Sequence, residues 1–145
     1  MTKHGERCKL SGMITYQTTK TFTPQALQTL FLSVQWDSGK HPDKLAAALQ
    51  HYGSVFSAWD GDSLVGMICS MDDGIMTAYV HYLLVHPDYQ NQGIGRQLIA
   101  LMREHYQDYL RIVLGANNKK LDFYQACGFT LPDDASLMFI TDMAT

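Results

Sequence analysis

The run Gln90-Asn91-Gln92-Gly93-Ile94-Gly95-Arg96 places two glycines one residue apart, just before an apolar stretch with helical spacing. The first N–H groups of a helix have no internal acceptor and carry the positive end of its dipole, so such a junction can hold an anion. Glycine tolerates positive φ and lets phosphate oxygens approach the backbone. Arg96 would add a charged donor. The same spacing also suits a plain tight turn. Two well-defined phosphate loops are excluded: a dinucleotide fingerprint needs a glycine where Leu98 stands, and a P-loop needs Gly-Lys-Ser/Thr, which the chain lacks. There is no Gly-x-Ser-x-Gly nucleophile elbow. The histidines and cysteines show no paired ligand spacing, so no metal is expected. Cys127 reads as a buried small hydrophobe.

The elements that must position these residues follow from the apolar pattern. "SGMITYQTTK" (11–20) is β-branched and aromatic and predicts a first strand. Thr23-Pro24 is an N-cap and N1 pair opening a helix with Leu27, Leu30, Phe31 and Val34 on one face. Turn formers fill 35–43, and "KLAAALQHY" (44–52) predicts a second helix. "SVFSAW" (54–59) and "LVGMICSM" (64–71) read as strands joined by the hairpin signal "DGDS". "TAYVHYLLV" (77–85) is a longer strand, stopped by Pro87. From Gln92, Ile94, Leu98, Leu101, Met102 and Tyr109 recur at helical period. "LRIVLG" (110–115) is a continuous apolar run and predicts a strand buried on both faces. "NNKKLDFYQACG" (117–128) predicts a helix closed by Gly128. "SLMFITDM" (136–143) predicts a last strand. One mixed α/β domain over residues 1–145 is expected, with no linker or repeat. The apolar last strand could also pair with another chain, giving a homodimer.

Two motifs then act together. "VHPDYQNQGIGRQLI" (85–99) resembles the signature of the GNAT superfamily of acyl-CoA-dependent N-acetyltransferases, Gln/Arg-x-x-Gly-x-Gly/Ala, through Gln90, Gly93 and Gly95. It follows Leu84-Val85-His86-Pro87, similar to the end of the family's preceding strand. "NNKKLDFYQACGF" (117–129) resembles its Asn-x(6)-Tyr-x(3)-Gly-Phe element through Asn117, Tyr124, Gly128 and Phe129. Order and separation agree, and the resemblance covers nearly the whole chain. It implies an α/β (α+β) fold with a central mixed, mostly antiparallel sheet flanked by about four helices. It also implies direct transfer of an acetyl group from acetyl-CoA to a primary amine.

In the family, the turn from Gln90 through Asn91, Gln92, Gly93, Ile94 and Gly95 to Arg96 holds the pyrophosphate of coenzyme A. The backbone of Leu83, Leu84 and Val85 holds the pantetheine arm, and Asn117 contacts the cofactor. Tyr124 matches the general acid that protonates the leaving thiolate. On periodicity alone it would be a core tyrosine. His81 is the candidate base for the amine, because an imidazole titrates near neutrality. "HYLLVH" is similar to the corresponding strand of serotonin N-acetyltransferase. Many family members use water instead. Tyr79 shares the His81 face by the period of two. The acceptor would meet the loop between the first two helices, where Trp36 could stack on it and Asp37 could attract its charge. Equally, Trp36 could plug the core edge and Asp37 could be solvated.

Composition bounds these readings. The chain has 145 residues, 46% of them hydrophobic, which suits one domain with its own core. Its net charge of -3 offers no basic stripe for nucleic acid. No apolar run approaches the ~20 residues of a membrane span, and the start shows no signal core. Three cysteines without a framework spacing read as reduced thiols of a cytoplasmic protein. A small-molecule amine is the expected acceptor. A protein or peptide amine, and a non-catalytic acyl-CoA-binding module, are the competing readings.

Overall fold

A computed structural model describes residues 13–143. Five strands form one sheet in the order β1 to β5: β1 Ile14–Gln17, β2 Ser54–Asp60, β3 Ser63–Asp72, β4 Thr77–Val85 and β5 Arg111–Leu114. The first four pair antiparallel, and β5 lies parallel to β4. Four α-helices flank the sheet: α1 Pro24–Ser33, α2 Pro42–Leu49, α3 Ile94–His105 and α4 Leu121–Ala126. The mixed, mostly antiparallel sheet with four helices agrees with the expected architecture. His4, Cys8 and the first residues of the predicted opening strand lie outside the described residues.

Each face of the sheet carries its own core. Leu27, Leu30 and Phe31 of α1 and Leu45 and Leu49 of α2 pack on one face with Tyr52, Tyr82 and Leu84. Ile94, Leu98, Ile99 and Met102 of α3 pack on the other with Ala78, Val80 and Tyr106. Side chains of these types contribute about 1.5–3 kcal/mol each when fully buried. Local signals agree with these helices. Thr23 caps α1 by accepting the Ala26 N–H at 3.1 Å, with Pro24 in the first turn. The β2–β3 hairpin turns through Gly61 at φ 60°. Asp73 organises the β3–β4 turn, its carboxylate accepting the amides of Ile75, Met76 and Thr77; these bonds hold its carboxyl below the usual range.

Three expectations are corrected. Residues 136–143 form no strand, and Leu137, Met138, Phe139 and Ile140 are exposed. Apolar composition makes a strand only where a partner ladder is in register, and here no ladder reaches the segment. β5 is not buried on both faces: Ile112 and Leu114 pack against the α3-side core, while Arg111 and Val113 point from the opposite face, which is uncovered. Tyr109 lies beyond α3, whose C-cap is Tyr106; its ring packs against Tyr106 with centroids 4.8 Å apart. Boundaries also move. α2 begins at Pro42, and the segment after Asn117 is a short 3-10 turn, Asn118–Lys120, before α4.

The far end of the sheet is locked by a polar chain. The Tyr106 hydroxyl donates to the Asp72 carboxylate at 2.7 Å and lies 2.8 Å from Ser54 Oγ. A Cβ at Gly53 would come within 1.9 Å of that carboxylate. Gly53→Ala should therefore lower stability by about 1–3 kcal/mol, the usual cost of forced displacement in a packed site. Urea denaturation reads this, and an unchanged midpoint would show that Asp72 moves aside freely.

Candidate active site

β4 carries the central irregularity. Its register with β3 runs Cys69 opposite Tyr82, then Ser70 opposite Val80. His81 is thus the extra residue of a β-bulge. Burial along β4 alternates without a break, yet Ala78 and Val80 point into the α3 core while Tyr82 and Leu84 point into the α1–α2 core. The bulge inverts the strand's phase, as such insertions do. It brings His81 among the rings of Tyr52, Tyr79 and Tyr82. Ring centroids lie 6.0 Å, 5.9 Å and 4.0 Å from the imidazole, respectively. Burial lowers the His81 pKa below its ordinary value, so the ring is neutral at neutral pH.

The cluster continues toward the α1–α2 loop. Tyr82 Oη lies 2.7 Å from Ser38 Oγ, and its ring meets Phe31 edge-on at 4.9 Å and Trp36 at 6.0 Å. Trp36 is half-buried against this core. Asp37 is ion-paired with Lys40 at 3.0 Å. Beside them an open hollow of about 390 Å³ is lined by Leu45, Ala48, Tyr82 and Met143 together with Ser38, His41 and Lys44.

At the other end of β4, pairing with β5 stops at Val80 opposite Leu114. Leu83, Leu84 and Val85 pair with β3 only, so their outer edge faces no strand. Gln90 ties the following turn to this edge, its side-chain amide donating to the Val85 carbonyl at 2.9 Å. Asn91 takes positive φ, 63°, and Gly93 is the left-handed N-cap of α3 at φ 84°. A Cβ at Gly93 would meet no atom within 4 Å, so the space over the turn is open. Gln92 Oε1 is buried without a hydrogen-bond partner among the described residues. Ile94 is buried under the turn and Gly95 packs against Phe123 and Val85. Arg96 lines a hollow of about 280 Å³ between α3 and α4 with Arg103, Cys127 and Gly128.

Tyr124 stands on α4, packed edge-on against Phe123 and Phe129 with centroids 5.3 Å and 5.9 Å away. Burial, with a smaller effect from the Cys127 thiol, raises its pKa above the ordinary phenol value. Asn117 caps the short turn before α4, its side chain accepting the Lys119 N–H at 2.9 Å. No ring contact or hydrogen bond joins Tyr124 to His81 among the described residues. The structure thus assembles His81, Tyr79 and Trp36 around Tyr82, places Leu83–Val85 directly before the glycine turn, and keeps Tyr124 on the α3 side.

The sequence matches the family model described as an acetyltransferase (GNAT) domain over residues 51–131, more than half of the chain and including both motifs. The chain belongs to the GNAT family of acetyltransferases. Among its relatives is an uncharacterized N-acetyltransferase, ycf52, of Gracilaria tenuistipitata var. liui, 34% identical over 79 residues; the match covers 52% of this chain and 43% of that protein. The ycf52 protein of Porphyra purpurea is 32% identical over 131 residues, covering 83% of this chain and 73% of that one. The chain thus spans less than half of the first of these curated relatives and about three quarters of the second. Among solved structures, a GNAT family acetyltransferase of Streptococcus pneumoniae TIGR4 superposes with TM-score 0.77 at 28% identity, over 90% of this chain and 99% of that one.

Against the GNAT pattern, Tyr52, Tyr82 and Ser38 are the members of the site that the sequence reading missed. The bulge that gathers them leaves no trace in the apolar alternation. A nuclear magnetic resonance titration should find His81 protonating below the ~6.5 of a free imidazole. Titration at or above that value would mean that water reaches the ring freely.

Proposed function

We propose that this chain is an acetyl-CoA-dependent N-acetyltransferase that moves the acetyl group directly to the primary amine of a small molecule. The observation that carries the reading is the junction of β4 and α3. A strand end with one unpartnered edge runs straight into a left-handed glycine turn whose outer space is open. The donor set suits coenzyme A. Backbone amides at the start of α3 would face the pyrophosphate, Arg96 would add charge, and Leu83, Leu84 and Val85 would offer backbone partners to the pantetheine amides. Bound there, acetyl-CoA supplies a thioester activated for acyl transfer.

The chain's own groups then have separate tasks. His81, neutral by burial, accepts the proton the amine must lose, directly or through water. Tyr124 returns a proton to the departing thiolate. From an unperturbed phenol near 10 to a thiol near 8.5 such a transfer is uphill by about 2 kcal/mol, and more so for the raised hydroxyl of Tyr124, so the proton moves only as the thiolate forms. The raised pKa of Tyr124 keeps its hydroxyl protonated before that moment. The apolar hollow beside Ser38 and Tyr82 is open to solvent and large enough for a small amine to enter, and it supports the small-acceptor reading. Trp36 and Tyr79 border the same aromatic group. The pairing of Asp37 with Lys40 leaves it a weaker attractor for the amine's charge than an unpaired carboxylate would be. A cytoplasmic location, read from the cysteine pattern, belongs to the same proposal.

The deciding experiment is thiol release from acetyl-CoA across arylalkylamines, polyamines, amino acids, aminoglycosides and short peptides. Turnover with one small-amine group is expected. Turnover with peptides alone would move the acceptor to a protein, and tight acetyl-CoA binding without turnover would favour a binding module. Tyr124→Phe should lower kcat by roughly 10²-fold or more while leaving acetyl-CoA affinity nearly unchanged; full turnover removes it as the acid. Gly93→Val should remain folded at a cost of about 1–2 kcal/mol for the left-handed backbone. It should lose coenzyme A binding in calorimetry, and normal binding would displace the pyrophosphate from this turn.

A further inference from the structure

The Tyr52 hydroxyl is a buried polar group with no task in the scheme above. Tyr52 lies in the turn between α2 and β2, with 8% of its surface exposed. Its oxygen is 2.5 Å from Nδ1 of His81. Its ring plane lies within 5° of the imidazole plane, the two rings meeting end to end through this bond with centroids 6.0 Å apart. This bond occupies one ring nitrogen and leaves Nε2 as the nitrogen that can exchange a proton with an amine or a water.

The direction of the bond decides what His81 can do. If the phenol donates to Nδ1, the neutral ring carries its proton on Nε2 and has no lone pair to offer there. If Nδ1–H donates to the phenol oxygen, Nε2 is free, and the same bond persists in the imidazolium. We propose that Tyr52 is the positioning residue for His81: its oxygen accepts from Nδ1–H, fixing the ring plane and the tautomer whose Nε2 takes the amine's proton. The inference rests on the transferase reading for its functional half only.

Three observations favour this direction. The titratable groups around the pair are Cys69 of β3 and Tyr79 and Tyr82 of β4, and all are neutral when protonated. Among the described residues no carboxylate contacts the imidazole through a hydrogen bond or ion pair, so the Tyr52 oxygen is the acceptor available to a cationic ring. Burial, followed by Tyr82, Cys69 and Tyr79, pushes the Tyr52 hydroxyl far above the ordinary phenol range. A phenol that stays protonated is a neutral oxygen able to accept from the ring.

The test uses the full chain and Tyr52→Phe, which keeps the ring and removes the oxygen. Nitrogen-15 resonances of the free wild-type protein should show His81 protonated on Nδ1 with a bare Nε2. In Tyr52→Phe the ring should revert toward the Nε2–H form and its pKa should fall further, because the cation loses its acceptor. A wild-type ring protonated on Nε2, with a pKa that rises in the variant, overturns the proposal. In turnover, Tyr52→Phe should lower kcat by about tenfold, the scale of one hydrogen bond to a charged group, with the KM for acetyl-CoA unchanged. The acidic limb of its pH–rate profile should move to lower pH. Wild-type kcat and profile in a variant whose tautomer has switched would remove the positioning role. If no amine is acetylated at all, the resonances still decide the Tyr52 bond, so the two readings fail separately.

Discussion

The single extra residue in β4 is the constraint on which the rest of the site depends. A strand alternates its side chains with a period of two. Without the bulge, Ala78, Val80, Tyr82 and Leu84 would all enter one core. With it, two enter the α3 side and two the α1–α2 side. β4 can therefore serve both layers, and His81 is left where the phase changes, turned toward Tyr52, Tyr79 and Tyr82. The unpaired outer edge of Leu83–Val85 begins just beyond the same point, because β5 stops accompanying β4 at Leu114.

Two kinds of surface thus meet along one strand. On the helical-pair side lies an aromatic, largely apolar group in which an imidazole is kept neutral. After the strand's end, a left-handed glycine turn presents the start of α3. The first suits a group that must lose a proton, and the second suits an anion held by backbone amides. α3 couples the two by packing Ile94 and Leu98 under the sheet directly behind the turn. Gln90 adds a local tie to Val85. The position of the turn relative to the strand edge is therefore set by core packing together with local bonds, among them the His86 N–H to the Val65 carbonyl and the Tyr89 hydroxyl to the Asp60 carboxylate.

Much of this was legible in the sequence because it is local. Thr23-Pro24 opens a helix through a cap that needs only its own neighbours, and "DGDS" forms a hairpin for the same reason. The 77–85 strand is predicted to the residue because it is a continuous run of strand-forming residues and Pro87 ends it. The glycine turn could be read because positive φ at Gly93 is a property of one residue. Readings that depended on a distant partner failed. "LRIVLG" is apolar but has one uncovered face, and "SLMFITDM" has strand composition without a ladder to join.

The sequence by itself determined the type and order of the main elements, the αL turn at the head of α3 and family membership through two spaced motifs. These depend on backbone sterics, capping and periodicity within a few residues. Only the tertiary structure decided that His81 is a bulge, that Tyr52, 29 positions away, reaches its Nδ1, and that Tyr82 joins Ser38 beside an apolar hollow. A register shift changes no residue's character and does not disturb the apolar pattern. It emerges when two strands compete to satisfy their backbone bonds while feeding two cores, and that balance is set by the packed whole.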